Sequence, residues 1–146
     1  MNKVLVIGES CTDIFIYGTS ERKSPEGKGP VFIPKYEKYG VGMAANTTNN
    51  VAAMGVDVDM FSDNDNIIKT RYVNEDTNEL YLRVDENDLV KRINIDDLPD
   101  LKQYSAIIIS DYCKGFLEEE DIAILDDISD FNQNYENFPL NLSGQK

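Results

Sequence analysis

Two runs of consecutive apolar residues constrain the fold of this chain most tightly. They are Val4-Leu5-Val6-Ile7, closed by Gly8, and Ala106-Ile107-Ile108-Ile109, closed by Ser110-Asp111. Short, β-branched-rich runs without polar alternation are the signature of strands buried on both faces, as in parallel sheets covered by helices. Between them, small residues dominate from Met43 to Met54 (Ala44, Ala45, Ala52, Ala53), and Gly55 stands where the residue after a helix C-cap belongs. That predicts a closely packed helix. Val56, Val58 and Met60 alternate with Asp57 and Asp59, the pattern of a half-buried strand. Residues 117–128 carry Leu117, Ile122, Leu125 and Ile128 as the apolar stripe of an amphipathic helix. Strands alternating with helices make an α/β protein with a parallel sheet.

Two segments break the alternation. Ile14-Phe15-Ile16-Tyr17 ends at Gly18, and after the polar loop Ser24-Pro25-Glu26-Gly27-Lys28-Gly29-Pro30 the extended pattern resumes at Val31-Phe32-Ile33. Residues 67–73 and 79–84 flank the turn Asn74-Glu75-Asp76-Thr77-Asn78, which predicts a hairpin. Together these read as an antiparallel β flap inserted into the α/β body. Residues 96–104 read as a short helical piece interrupted at Pro99, and the Asn-rich stretch 132–146 as weakly ordered.

The 146 residues suit one domain. They hold 27 Asp and Glu against 14 Lys and Arg, a net charge of −13, and no histidine. Ser-His-Asp and Cys-His catalysis and His-ligated metal sites are therefore excluded. Nucleic acid and anionic membranes are unsuitable partners, since each needs a basic face. The acid collects late: residues 115–145 contain eight carboxylates and no Lys or Arg, which reads as a solvated helix face. An anionic ligand would meet the first two thirds, where Arg22-Lys23, Lys35, Lys38, Lys69, Arg71 and Lys91-Arg92 lie. Cys11 and Cys113 form no C-x-x-C pair, so reduced thiols in a cytoplasmic protein are expected. No run is long enough for a signal peptide or a membrane span.

In open α/β sheets ligands bind beyond the carboxyl ends of the strands. Gly8-Glu9-Ser10-Cys11-Thr12-Asp13 and Ser110-Asp111-Tyr112-Cys113-Lys114-Gly115 occupy such positions. Asp13 and Asp111 are either ligand-facing carboxylates or turn and cap residues. Gly40-Val41-Gly42 leads into the small-residue helix, as a plain turn or as a backbone cradle for an anion. Asn46, a poor helix-interior residue, is better placed facing a ligand or a cap than water. No Walker A or G-x-G-x-x-G string occurs, and after Gly55 the only glycines are Gly115 and Gly144.

Read in order, V-I-G-E-S-C-T-D-I-F-I-Y-G, R-K-S-P-E, G-M-A-A-N-x-x-N-N-V-A-A-M-G-V, I-I-K-T-R, L-R-V-D and I-I-I-S-D-Y-C-K-G resemble the PfkB, or ribokinase-like, carbohydrate kinases. Within them the heptose-7-phosphate kinases, including the kinase half of bifunctional ADP-heptose synthases, are most similar. The resemblance runs from Lys3 to about Ile122 and matches the N-terminal half of such a kinase. It implies a partial ribokinase-like α/β parallel-sheet sandwich with an inserted β lid. Residues 1–128 would form the kinase part, with the lid at about 12–38 and 66–85, and 129–146 a tail.

The resemblance also implies substrate contacts. Asp13 matches a carboxylate that accepts sugar hydroxyls, Gly42 and Asn46 a Gly-Gly…Asn substrate motif, Asp111 and Lys114 a Ser-Asp-Tyr-x-Lys-Gly motif, and Lys69 and Arg71 a Lys-x-Arg on a lid strand facing the substrate phosphate. ATP and Mg2+ are the implied cofactors, and a sugar phosphate is the implied ligand. A second copy, paired through the lid, or a complementing C-terminal kinase half is the implied protein partner. Two departures stand out. Val41 replaces the first glycine of the pair, where a β-branched residue would resist a positive φ, and Gly27-Lys28-Gly29 replaces an apolar continuation. The family's C-terminal glycine-rich anion hole and catalytic aspartate have no counterpart in the 146 residues. Catalysis by this chain alone is therefore expected to be negligible, and the parallel sheet to carry an unpaired edge and depend on a partner for solubility. A non-catalytic sugar-phosphate-binding or lid-mediated module is the alternative.

Overall fold

A computed structural model describes residues 3–63 and 67–130; the side chains of 129 and 130 and the stretch expected to be weakly ordered, 132–146, lie outside the described residues. In chain order the elements are β1 (Lys3–Gly8), β2 (Ser10–Lys23), β3 (Pro30–Met43), α1 (Ala44–Ala53), β4 (Asp57–Phe61), β5 (Ile67–Asn74), β6 (Leu80–Glu86), two 3₁₀ turns (Ile95–Asp97 and Leu101–Gln103), β7 (Ala106–Ser110) and α2 (Glu119–Asp130). The body is a parallel sheet of order β4-β1-β7. Its central strand is the one the sequence marks most strongly, with Leu5, Val6 and Ile7 inaccessible to solvent. Each such side chain stabilises the fold by roughly 1.5–3 kcal/mol relative to exposure.

Alternation along β1 sends Leu5 and Ile7 to one face, where they pack with Ile93, Tyr104, Phe116, Leu117 and Leu125. α1 packs against β1 and β4. α2 is anchored at its start. Arg92 donates to Asp121 at 2.9 and 3.0 Å, and Asp121 also accepts the Glu118 N–H at 2.9 Å. The acidic run is therefore not only a solvated face. Asp121 is buried, and the Arg92 guanidinium holds its carboxyl below the usual carboxylate range.

In β4 the expected alternation is displaced. Met60 is exposed, whereas Asp59 accepts Lys3 Nζ at 2.7 Å and Tyr104 OH at 2.6 Å. Burial first, and Asp59 second, push the Tyr104 hydroxyl up to about 12. A specific polar partner outweighs the local pattern here.

The second sheet has order β3-β2-β5-β6. β2 and β3 pair antiparallel, as do β5 and β6, but β2 and β5 run parallel. The sheet is thus mixed rather than antiparallel. The reason is topological: β2 and β5 leave the same ends of the parallel strands β1 and β4, so they set out in the same direction. Ile7 is in register with Phe61, and Cys11 with Ile67. No helix among the described residues is long and apolar enough to cross a membrane.

Candidate functional site

The junction of the two sheets gathers most of the expected site residues, and strand register explains how. One row across the second sheet reads Gly40, Asp13, Lys69, Asp85; the next reads Lys38, Phe15, Arg71, Arg83. Because side chains of paired positions share a face, Asp13, Lys69, Arg71, Arg83 and Asp85 project to the same side. Arg71 donates to Asp13 Oδ1 at 2.5 Å and lies 5.0 Å from the Phe15 ring centre. Arg83 forms a two-pronged pair with Asp85 at 2.6 and 2.7 Å. Arg83 first, with Lys69 and Lys114 adding, holds the Asp85 carboxyl below its ordinary value. Lys69 and the β7-loop residue Lys114 therefore both lie close enough for their charges to act on Asp85.

Lys69 is the unusual member. It is only 7% exposed, and no carboxylate among the described residues lies within 4.0 Å of its ammonium. A buried ammonium without a close counterion favours an incoming anion. Lys114 Nζ bonds Asp88 Oδ2 at 2.6 Å, while Asp88 Oδ1 is buried without a hydrogen-bond partner among the described residues.

Gly42 has a spatial role. A Cβ there would stand 2.6 Å from both Asp13 Oδ2 and Cys11 Sγ, so the missing side chain is what lets Asp13 lie across β3. Cys11, Met43 and Ile67 form the apolar floor beside it, and burial pushes the Cys11 thiol up. The segment Gly40-Val41-Gly42 is neither a turn nor an anion cradle. It is strand, paired with Asp13, Thr12 and Cys11. Val41 is tolerated because the left-handed backbone falls at Met43 (φ 59), one residue before α1.

Asp111 supports its own loop: Oδ1 accepts the Cys113 N–H at 2.8 Å, and its charge, ahead of burial, raises the Cys113 thiol. Cys113 is exposed and has φ 56. Asn46 stands apart. It is exposed on the first turn of α1, and no hydrogen bond among the described residues joins it to the other site residues. Glu9 was unmarked in the sequence beyond its place after β1. It is fully buried, and its carboxylate accepts the Tyr112 and Lys114 N–H groups at 2.9 and 2.8 Å.

No family model matches the chain. Bifunctional protein HldE of Helicobacter pylori (strain HPAG1) is 30% identical over 156 aligned positions, covering 82% of this chain and 33% of that protein. Its counterpart in Helicobacter acinonychis (strain Sheeba) is 43% identical over 58 residues, 40% of this chain and 12% of that protein. The chain spans a third or less of the length of these relatives. Among solved structures, a Staphylococcus aureus protein assigned as a phosphofructokinase superposes with a TM-score of 0.51 at 7% identity, over 87% of this chain and 49% of that one. Over 82% of its length the chain is similar to HldE, and its fold is ribokinase-like. In ribokinase-like terms the β4-β1-β7 sheet is part of the α/β body and the mixed sheet stands in the place of the lid.

Proposed function

We propose that this chain holds the acceptor of an ATP-dependent carbohydrate kinase, and that the acceptor is a sugar phosphate of the heptose 7-phosphate type. The observation that carries the reading is the largely buried Lys69 side chain beside Arg71 and Asp13 on one face of the lid, with the Lys114 charge near enough to act on Asp85 as Lys69 does. Asp13 accepts sugar hydroxyls. Lys69 and Arg71 take the phosphate already on the sugar, for which the Arg fork suits two oxygens. Asp111 Oδ2 and Lys114 bind from the β7 side. Gly42 keeps the space open.

ATP is the donor the family implies, with Mg2+. The described residues hold no group of three or more His, Cys, Asp or Glu side chains able to bind a metal ion by themselves. The sequence adds no glycine-rich phosphate turn after Gly55. The contribution of these residues is to bind and orient the acceptor.

The opposite face of the lid suits a second copy of the chain. Tyr39, Val41, Leu82 and Val84 share that face by register and are exposed, Tyr39 at 68% and Leu82 at 55%. Calorimetric titration with heptose 7-phosphate and, separately, with ATP tests the reading. Saturable binding of the sugar phosphate is expected. Silence toward it overturns the reading, and tight ATP binding contradicts the division of labour.

A further inference from the structure

Glu9 is a carboxylate with no exposed surface, at the point where β1 becomes β2. Isolated in an apolar interior, such a charge is strongly disfavoured, so its partners define its purpose. Those partners are main-chain donors. Oε2 accepts the Tyr112 N–H and Oε1 the Lys114 N–H, while Asp111 takes the intervening Cys113 N–H. Three successive amides thus end on two carboxylates, with Cys113 between them at φ 56, an uncommon conformation for a residue other than glycine. The main-chain carbonyl of Glu9 also accepts the Ala44 N–H at 2.8 Å, which ties the first residue of α1 to the same spot.

We propose that Glu9 is a positioning residue of the acceptor site, which rests on the function proposed above. Its side chain fills the amide concavity of the 112–114 loop as a built-in anion. This locks the loop so that Asp111 stays folded against Cys113 and Lys114 is directed at Asp88. Its main chain sets where α1 begins. The substrate phosphate consequently meets side-chain cations rather than this loop's amides. Glu9→Gln keeps the shape but turns an amide NH2 toward one of the two N–H donors, which breaks one arm of the clamp.

The test uses the full chain, with Glu9→Gln and a core comparator, Val51→Ala, chosen to lower stability at a distant point. Amide hydrogen exchange at Tyr112 and Lys114 reads the clamp without ligand, and calorimetry with heptose 7-phosphate reads its consequence. Glu9→Gln is expected to speed exchange at one or both amides by about tenfold or more. It is also expected to weaken binding by about tenfold to a hundredfold, the loss expected for a charge-assisted bond. Val51→Ala should leave affinity at the wild-type value. Wild-type affinity in Glu9→Gln overturns the proposal, as does equal weakening in Val51→Ala. If Glu9→Gln does not fold, exchange in the wild-type chain decides: protected Tyr112 and Lys114 amides support the clamp, and unprotected ones overturn it. If the wild-type chain does not bind heptose 7-phosphate, the acceptor reading fails, while the clamp still stands or falls on the exchange rates.

Discussion

Arg71 Nη1 and Asp13 Oδ1 stand 2.5 Å apart, joined across β2 and β5, the two lid strands that pair in parallel. Through that pair, the residue expected to accept sugar hydroxyls is oriented by a residue expected to hold phosphate. Arg71→Lys keeps the charge and loses the fork, so heptose 7-phosphate affinity should fall by about threefold to tenfold. Arg71→Ala should lose about tenfold to a hundredfold. Isothermal titration of both variants measures the difference, and equal affinities would show that the guanidinium geometry is irrelevant.

Gly42 yields a steric prediction. Alanine there places a carbon 2.6 Å from the Asp13 carboxylate and the Cys11 sulfur. Something must move, at a cost of about 1–3 kcal/mol in stability. Because Asp13 is one of the two displaced groups, binding should fall further than stability does. Chemical denaturation paired with titration separates the two losses.

Cys113 reports on Asp111. The exposed thiol is raised chiefly by the Asp111 charge. Asp111→Asn removes that charge, and its side-chain oxygen can still accept the Cys113 N–H. Alkylation by iodoacetamide at about pH 8 should then speed up by about threefold to tenfold, in step with the thiolate fraction. Mass spectrometry distinguishes this residue from the buried Cys11, whose modification should stay slow.

Much of this fold is legible in the sequence because it rests on local pattern. The apolar runs at Val4 and Ala106 declare buried parallel strands, and the turn at Asn74 declares a hairpin. The parallel pairing of β2 with β5 is not legible, since the partners lie more than fifty positions apart and the direction is fixed by where the body strands end. Asp13 stands out by its place beyond the first strand, Lys69 and Arg71 through the family resemblance; their shared face needed the register. Glu9 carries no local mark in the sequence, because its amide partners come from a loop more than a hundred positions away. Asn46 was expected to avoid water from helix propensity alone, a weak signal that says nothing about which side of α1 faces outward.

Asp121 gives a pH prediction. Arg92 first holds its carboxyl below the ordinary value, so its folded pKa lies under the unfolded value of about 3.9. The contribution to stability is then complete above that unfolded value and is lost as pH falls through the folded one. The stability gap between the wild-type chain and Arg92→Ala should accordingly be widest near about pH 7 and shrink toward about pH 3. Urea midpoints at several pH values measure it; a gap independent of pH would show that Arg92 acts by packing alone.

The central claim is that the lid face recognises a phosphate already carried by the sugar. The direct measurement compares heptose 7-phosphate with the unphosphorylated heptose by calorimetry, in the wild-type chain and in Lys69→Ala. The account predicts that the phosphate improves wild-type affinity by about tenfold or more, and that most of this gain vanishes in Lys69→Ala. Equal affinity for the two sugars in the wild-type chain, or a phosphate gain that survives the loss of Lys69, would contradict it.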